Sequence, residues 1–217
     1  MKNTGKRSHA ENGSPVPREL VNATRTPDVV SVPHRRCLAI DGVGSPHDPR
    51  FQHAVEALYG MSYTLKLARK KAGKHDFKVG PLEGHWSADP RWGAAGKPPP
   101  EAWHWRLRIG VPSDVTWDDV EQITHEVVAK KAGELQASVI GPHIFLESIP
   151  TQRLGRILHL GPYSEEDASF ALISAALDRA GLTPAPTHIE VYRNDPRRTR
   201  PAGLETVLLR ELAAPSA

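Results

Sequence analysis

Hydrophobic and polar side chains alternate along several short segments of this chain and recur at helical spacing along three longer ones. Alternation predicts strands, because successive side chains on a strand point to opposite faces. The predicted strands are 36–40, the glutamate-bearing segment 81–86, 103–109, 144–146, 156–160, 188–192 and 205–209. The predicted helices begin at Asp48, Thr116 and Ser164 and stop before Gly73, Gly133 and Gly181.

Two parts of the chain repeat one order of elements. Residues 36–109 and 156–211 both run through a strand, a glycine-containing turn, a helix, a glutamate-bearing strand, an Asp-Pro-Arg turn and a last strand. A β-α-β-β unit cannot cover its own sheet, so two copies are expected to pair. We predict an α+β fold of duplicated β-α-β-β modules, with pseudo-two-fold symmetry and a central ligand groove.

The first segment lacks this patterning. Residues 1–27 are rich in Pro, Ser, Asn and charge and show no sustained apolar period. Such a segment buries too little apolar surface to offset the entropy of ordering. We therefore predict a flexible tail at 1–27, a folded domain at 28–212 and a flexible end at 213–217.

Composition excludes several classes of protein. The 217 residues include 39% hydrophobic residues, enough for a sizeable core, and 28 Lys and Arg against 25 acids, a net charge of only +3. That balance does not indicate a nucleic-acid partner. No run approaches the roughly 20 apolar residues of a membrane span. The polar N-terminus and the single Cys37 fit a cytoplasmic protein without disulfides.

The segment 188–192 carries the strongest chemical signal. On a strand, Ile189 and Val191 can enter a core while His188, Glu190 and Tyr192 share the other face. A base, a carboxylate and a phenol would then line one surface. The same alternation is also typical of a half-buried strand with a wet polar face.

A second glutamate repeats part of this pattern. Glu83 precedes the turn 89–91 at nearly the spacing at which Glu190 precedes the turn 195–197. The repeat would turn both carboxylates toward the groove. Glu83 could then hold a ligand cation, pair with an arginine or take part in catalysis.

Aromatic residues cluster close to Glu83. Their rings suit stacking on a flat polycyclic ligand, although large aromatics also belong in cores. Trp86 is the leading candidate because it follows Glu83 so closely. The cluster contains four of the five tryptophans: Trp86, Trp92, Trp103 and Trp105.

These segments together resemble the GyrI-like small-molecule-binding domains, which also form the drug-sensing part of some MerR-type regulators. The resemblance spans about 28–212, and no helix-turn-helix signal precedes it. The matching segments are 40–44, 57–59, 63–66, 81–86, 160–163, 188–192 and 195–199.

The resemblance implies a fold and an activity. GyrI-like domains are duplicated SHS2-like β-α-β-β modules whose groove binds flat, often cationic or aromatic compounds beside a glutamate matching Glu190. A branch with similar Leu-Tyr, Pro-Leu-Glu-Gly and Asp-Pro-Arg segments hydrolyses the cyclopropane of DNA-alkylating antibiotics of the yatakemycin and duocarmycin type. That branch implies an antibiotic-resistance hydrolase that detoxifies the drug.

The expected site follows from this activity. Glu190 is the candidate base, and Tyr163 or Tyr192 the candidate donor to the drug's carbonyl oxygen. The expected ligand is a flat aromatic small molecule. The candidate ligand-binding residues are Tyr59, Tyr63, Glu83, Trp86, Trp92, Trp103, Trp105 and His188.

Other chemistry finds less support. The segment 42–44 lacks the third glycine of a dinucleotide loop, and the His188-x-Glu190 pair lacks the downstream cysteines of a zinc deaminase. We therefore expect no cofactor, no metal, no nucleic acid and no membrane. The alternative to an enzyme is a binding protein that sequesters drugs or modulates a partner such as gyrase without turnover.

Overall fold

The computed structural model describes residues 14–88, 98–130 and 144–213. Its strands are β1 (Asp28–Val32), β2 (Arg35–Val43), β3 (Glu83–Ala88), β4 (Trp103–Val111), β5 (Ile144–Ile149), β6 (Gln152–Leu160), β7 (Pro184–Tyr192) and β8 (Glu205–Leu212). Its α-helices are α1 (Arg18–Val21), α2 (Pro49–Lys71), α3 (Trp117–Lys130) and α4 (Glu166–Arg179). Single 3-10 turns occupy Pro100–Ala102, Tyr163–Glu165 and Pro201–Gly203.

The strands form one antiparallel sheet that shows the predicted duplication. The strand order is β1-β6-β8-β7-β3-β4-β2-β5. One module is β2-α2-β3-β4 and the other is β6-α4-β7-β8, and β3 pairs with β7 where the two modules meet. The predicted α+β fold with two β-α-β-β modules is confirmed.

Local sequence signals set the helix ends. The Asp48 carboxylate accepts a hydrogen bond from the Arg50 backbone N–H at 2.8 Å and caps α2. Gly73 follows that helix with φ of 68°, the left-handed conformation that glycine adopts without strain. At α3, the Thr116 and Asp119 side chains each accept from the other's backbone N–H, which forms a capping box. Within the described residues, no helix combines the length and the apolarity needed to cross a bilayer.

The sheet has two differently covered faces. On the helix face, α2 packs over β2 and β4 while α4 packs over β6 and β8. The buried side chains there include Leu38, Phe51, Leu58, Leu107, Ile109, Ile157, Ile173, Leu177 and Leu208. The opposite face carries a second core of Val16, Leu20, Val32, Leu154, Ile189, Val191, Val207 and Leu209.

The folded body begins closer to the N-terminus than predicted. Val16 and Leu20 are buried in the second core, so the folded body includes residues 14–27, which the sequence assigned to a tail. Val16 fits against Gly80 and Gly110, and a Cβ on Gly80 would overlap its side chain. The segment has too few apolar residues to show a period. They are buried because the sheet supplies the surface that covers them. Residues 1–13 and 214–217 lie outside the described residues.

We expect Leu20→Ala to lower the free energy of unfolding by about 2–4 kcal/mol, since it empties a fully buried site. Urea denaturation followed by circular dichroism measures the change. Val29→Ala is the matched control, because this exposed side chain of β1 should contribute less than about 0.5 kcal/mol. Equal stability of the Leu20 variant and the wild type would show that residues 14–27 contribute no core.

Candidate functional site

On the helix face, α2 covers β2 and β4 and α4 covers β6 and β8, so the strip of β3 and β7 lies between the two helices. We call the space above this strip the central groove. Strand pairing sets Gly84 of β3 directly opposite Glu190 of β7. A Cβ on Gly84 would come within 2.8 Å of Trp86 Nε1 and 3.1 Å of Tyr192 Oη. The missing side chain at Gly84 therefore lets the Trp86 and Tyr192 side chains lie directly over β3.

Glu190 is held on that floor by its two neighbours on the same face of β7. Tyr192 Oη donates to Glu190 Oε2 at 2.6 Å, and His188 Nε2 lies 2.9 Å from Glu190 Oε1. Trp86 Nε1 donates in turn to Tyr192 Oη at 3.3 Å. The alternation of β7 thus produces the predicted cluster, and its donors orient the carboxylate.

The Tyr192 hydroxyl is hydrogen-bonded to the Glu190 carboxylate and not free to bind a substrate. Its single O–H points to Glu190, so this proton is not available to a carbonyl oxygen. Burial, then the negative charge of Glu190, raise the pKa of Tyr192 well above its ordinary value. Tyr192 therefore positions Glu190.

Tyr163 is the more exposed of the two candidate donor tyrosines. It lies in the 3-10 turn before α4, with its ring edge-on to Tyr192 at 5.8 Å between centroids. It is 39% exposed, and its hydroxyl makes no hydrogen bond within the part of the chain that the structure describes. Burial and the charges of Glu166 and Glu190 raise the pKa of Tyr163 to about 12, so it stays protonated at neutral pH.

Glu166 also faces Glu190, and sequence reasoning missed it. This residue of the first turn of α4 is only 7% exposed. Burial, then the charge of Glu190, raise the pKa of Glu166 to about 9. An acid in a first turn usually complements the helix dipole, so its type and position alone do not indicate a functional role. A signal was present, because Glu166 lies four residues before Phe170 and seven before Ile173, on the inward stripe.

Glu83 does not face the groove. Side chains of directly paired strand residues share a face, and Glu83 pairs with Val191 rather than Glu190. It therefore points to the opposite face, where its Oε2 lies 3.1 Å from Arg35 Nη2, with 1% and 2% of the two side chains exposed. The predicted pair of facing carboxylates is wrong, and Glu83 cannot reach a ligand in the groove.

Three of the tryptophans, Trp86, Trp103 and Trp105, pack with Phe51 into an aromatic wall. Trp86 stacks on Phe51 at 5.7 Å and meets Trp103 edge-on at 5.9 Å. Trp105 lies in the core above Gly42, where a Cβ would overlap its ring. Trp86 and Trp105 are thus mainly scaffold, while Trp103 is half-buried at the wall. Trp92 lies outside the described residues.

The remaining predicted residues lie at two ends of the groove. Tyr59 of α2 interacts with Asp195 and Arg197 of the turn after β7, and it stacks on the exposed Tyr63 at 6.4 Å. At the other end, Phe170 of α4 meets the His188 ring at 4.7 Å. No cluster of His, Cys, Asp and Glu in 14–88, 98–130 or 144–213 could hold a metal ion.

Solved structures with the same fold include two from Listeria innocua. An uncharacterized conserved protein is 27% identical, with a TM-score of 0.81 over 90% of this chain and 96% of that one. A hydrolase is also 27% identical, with a TM-score of 0.76 over the same shares. The EcmrR C-terminal domain shares the fold at 10% identity, with a TM-score of 0.51 over 87% of this chain and 97% of that domain.

These matches show the fold of the chain. The chain has the duplicated α+β fold of GyrI-like domains, and over nearly its whole described length it is similar to a protein described as a hydrolase. No protein-family model and no curated protein matches the sequence. The functional argument therefore depends on the groove itself.

Proposed function

We propose that this protein is a hydrolase that opens the electrophilic cyclopropane of a flat, DNA-alkylating antibiotic by adding water. The observation that carries the proposal is Glu190, a mostly buried carboxylate that Tyr192 and His188 hold on the floor of an aromatic-walled groove. The similarity to a hydrolase of Listeria innocua supports hydrolysis as the reaction class.

Glu190 is suited to activate water. Each carboxylate oxygen has two lone pairs, so an oxygen that accepts from Tyr192 or His188 can still accept from a water molecule. Both fixed donors come from β7, so the carboxylate keeps one orientation as the substrate enters. A general base must meet that geometric requirement before its basicity matters.

The reaction balances as a simple addition of water. Glu190 takes a proton from water as the water oxygen bonds to the cyclopropane methylene. The carbon–carbon bond of the ring breaks, and its electron pair moves into the conjugated carbonyl. That oxygen becomes a phenolate, which Tyr163 stabilises by donating a hydrogen bond before the oxygen is protonated. The product no longer carries the alkylating ring.

Mass spectrometry of a duocarmycin-type compound incubated with the purified protein tests this proposal. Hydrolysis gives a product heavier than the drug by one water, and it should accumulate with many drug molecules converted per protein. Heat-denatured protein is the control for spontaneous opening. Unchanged drug that co-purifies with folded protein would contradict the enzyme and would instead support sequestration.

Sequestration is the second candidate because two buried carboxyl groups, Glu166 and Glu190, lie close enough to interact. Neither forms an ion pair with a Lys or Arg within the described residues. A flat lipophilic cation would complement such a site without any chemistry. Binding without turnover would then protect the cell stoichiometrically.

We expect Tyr163→Phe to lower kcat about 10-fold, the effect of losing one hydrogen bond to a charged group. Stability should change little, because this side chain is partly exposed. Steady-state kinetics with the same compound measure the effect. Trp117→Phe, an exposed aromatic residue at the start of α3, is the control and should keep wild-type kinetics. Full activity of the Tyr163→Phe variant would show that the phenol takes no part in the reaction.

A further inference from the structure

A second polar cluster lies beside Glu190 and consists of Glu166 and Thr206. Thr206 of β8 pairs directly with Tyr192 of β7, so it lies on the helix face next to the groove floor. Glu166, in the first turn of α4, lies close to the Thr206 hydroxyl. Both side chains are more than nine-tenths buried.

This cluster contains two polar atoms without partners. Glu166 Oε1 and Thr206 Oγ1 are buried and form no hydrogen bond within the described residues. The Thr206 hydroxyl is close enough to favour the ionised form of Glu166, but it does not reach hydrogen-bond geometry. Folded proteins rarely leave buried polar atoms unpaired, so these two atoms indicate a place for a polar ligand atom or water.

The charges around Glu166 favour its protonated form. It faces Glu190 from β7, and its helix neighbour Asp167 adds a further negative charge. The phenols Tyr163 and Tyr192 and the Thr206 hydroxyl are uncharged at neutral pH. His159 of β6 pairs directly with Thr206, and its ring is held by Ser169 and the Pro162 carbonyl. Two carboxyl groups that share a dry site cannot both ionise readily.

The hydrogen bonds decide which carboxyl keeps the proton. Glu190 accepts from Tyr192 and His188, and such donors stabilise a carboxylate. Glu166 has no comparable donor. Burial and the charge of Glu190 raise the pKa of Glu166 to about 9, which keeps it protonated at neutral pH. Pairs of carboxyl groups whose environments differ in this way divide into an acid and a base.

We propose that Glu166 is the catalytic acid that works opposite Glu190, donating its proton to the substrate oxygen that gains charge as the ring opens. This inference rests on the proposed function. Glu190 removes one proton from water and Glu166 supplies one to the phenolate oxygen, so the product is the drug plus one water. A proton then passes from Glu190 to Glu166 and restores the starting state.

Tyr163 and Glu166 have separate tasks in this scheme. The phenol of Tyr163, with a pKa of about 12, is too weak an acid to release its proton near neutral pH, but it can donate a hydrogen bond. Glu166, with a pKa of about 9, is the stronger acid of the two. The proton therefore comes from the carboxyl group.

The test is the pH dependence of kcat/KM for the duocarmycin-type compound. An acid must be protonated to act, so wild-type activity should be present below about pH 9 and should fall as the pH rises through that value. Glu166→Gln should lower kcat/KM by about 10²-fold and abolish this alkaline fall. The control Glu165→Gln, an exposed neighbour, should keep both the rate and the fall.

A spectroscopic measurement accompanies the kinetics. Infrared spectra of the wild type should show the carbonyl band of a protonated carboxyl group at neutral pH, lost above about pH 9. Glu166→Gln should lack this band. The amide resembles the protonated acid in shape and charge, so the variant should fold, and circular dichroism checks this.

The outcomes separate the two ideas. A wild type that hydrolyses the drug, with a Glu166→Gln variant of equal rate and equal pH profile, would overturn the role of Glu166 and leave the hydrolase proposal intact. Absence of the titrating carboxyl band in the wild type would also overturn that role. A wild type that never adds water to the drug would overturn both.

Discussion

Glu190→Gln should lower the hydrolysis of a duocarmycin-type compound by about 10²-fold or more, because the amide keeps the shape of the side chain but cannot take a proton from water. The amide oxygen can still accept from Tyr192, which now donates to Glu190 Oε2 at 2.6 Å. The groove should therefore keep its geometry, and the affinity for a neutral ligand should change much less than kcat. Single-turnover kinetics and ligand-induced quenching of tryptophan fluorescence measure the two effects.

The matched control for this substitution is Glu205→Gln. Glu205 lies at the start of β8, half exposed, and pairs with Arg193 at 3.4 Å. Its side chain should not affect turnover. Near-normal hydrolysis by Glu190→Gln would show that another group is the base, and the structure makes Glu166, rather than Glu83, the next carboxyl to test.

Glu83→Gln should instead lower the free energy of unfolding by about 3–5 kcal/mol, because it leaves the Arg35 guanidinium buried without its counter-charge. The amide oxygen can still accept from Arg35 Nη2, and Arg35 Nη1 keeps its hydrogen bond to Gln152 Oε1 at 3.2 Å, so the loss comes from the missing negative charge. Urea denaturation measures the loss. Turnover per folded molecule should stay at the wild-type level, because Glu83 lies on the face away from the groove.

Two comparisons sharpen this test. Asp195→Asn breaks an exposed pair with Arg197 and should cost at most about 1 kcal/mol. The double replacement of Arg35 by Met and Glu83 by Leu should regain much of the lost stability, since no unpaired charge remains buried. A Glu83→Gln protein with normal stability but no turnover would show that Glu83 takes part in the reaction.

The shared face of His188, Glu190 and Tyr192 could be predicted from sequence because it depends on a local rule. Side chains two residues apart on a strand lie on one face whatever the strand pairs with. The helix ends at Asp48 and Gly73 could be predicted for the same reason, since a cap is formed by residues adjacent in sequence. The module repeat then indicated which strands would meet.

The groove's composition could not be predicted in this way. A shift of one residue in strand register moves a side chain to the other face. The β3–β7 register places Gly84 on the groove floor and the Glu83 side chain on the opposite face. The N-terminal segment shows the same limit, because Val16 and Leu20 are buried only by a sheet formed from distant residues.

The sequence by itself determined the elements from β2 onward, their duplication and the face of β7 that carries Glu190, because these follow from periodicity, capping and spacing within short segments. Only the tertiary structure decided which groups accompany Glu190. It paired Glu83 with Arg35, directed the Tyr192 hydroxyl to the carboxylate and buried Glu166 beside it. Strand register, burial and the choice of which carboxyl group is protonated depend on residues from distant parts of the chain. A local sequence pattern therefore does not predict them.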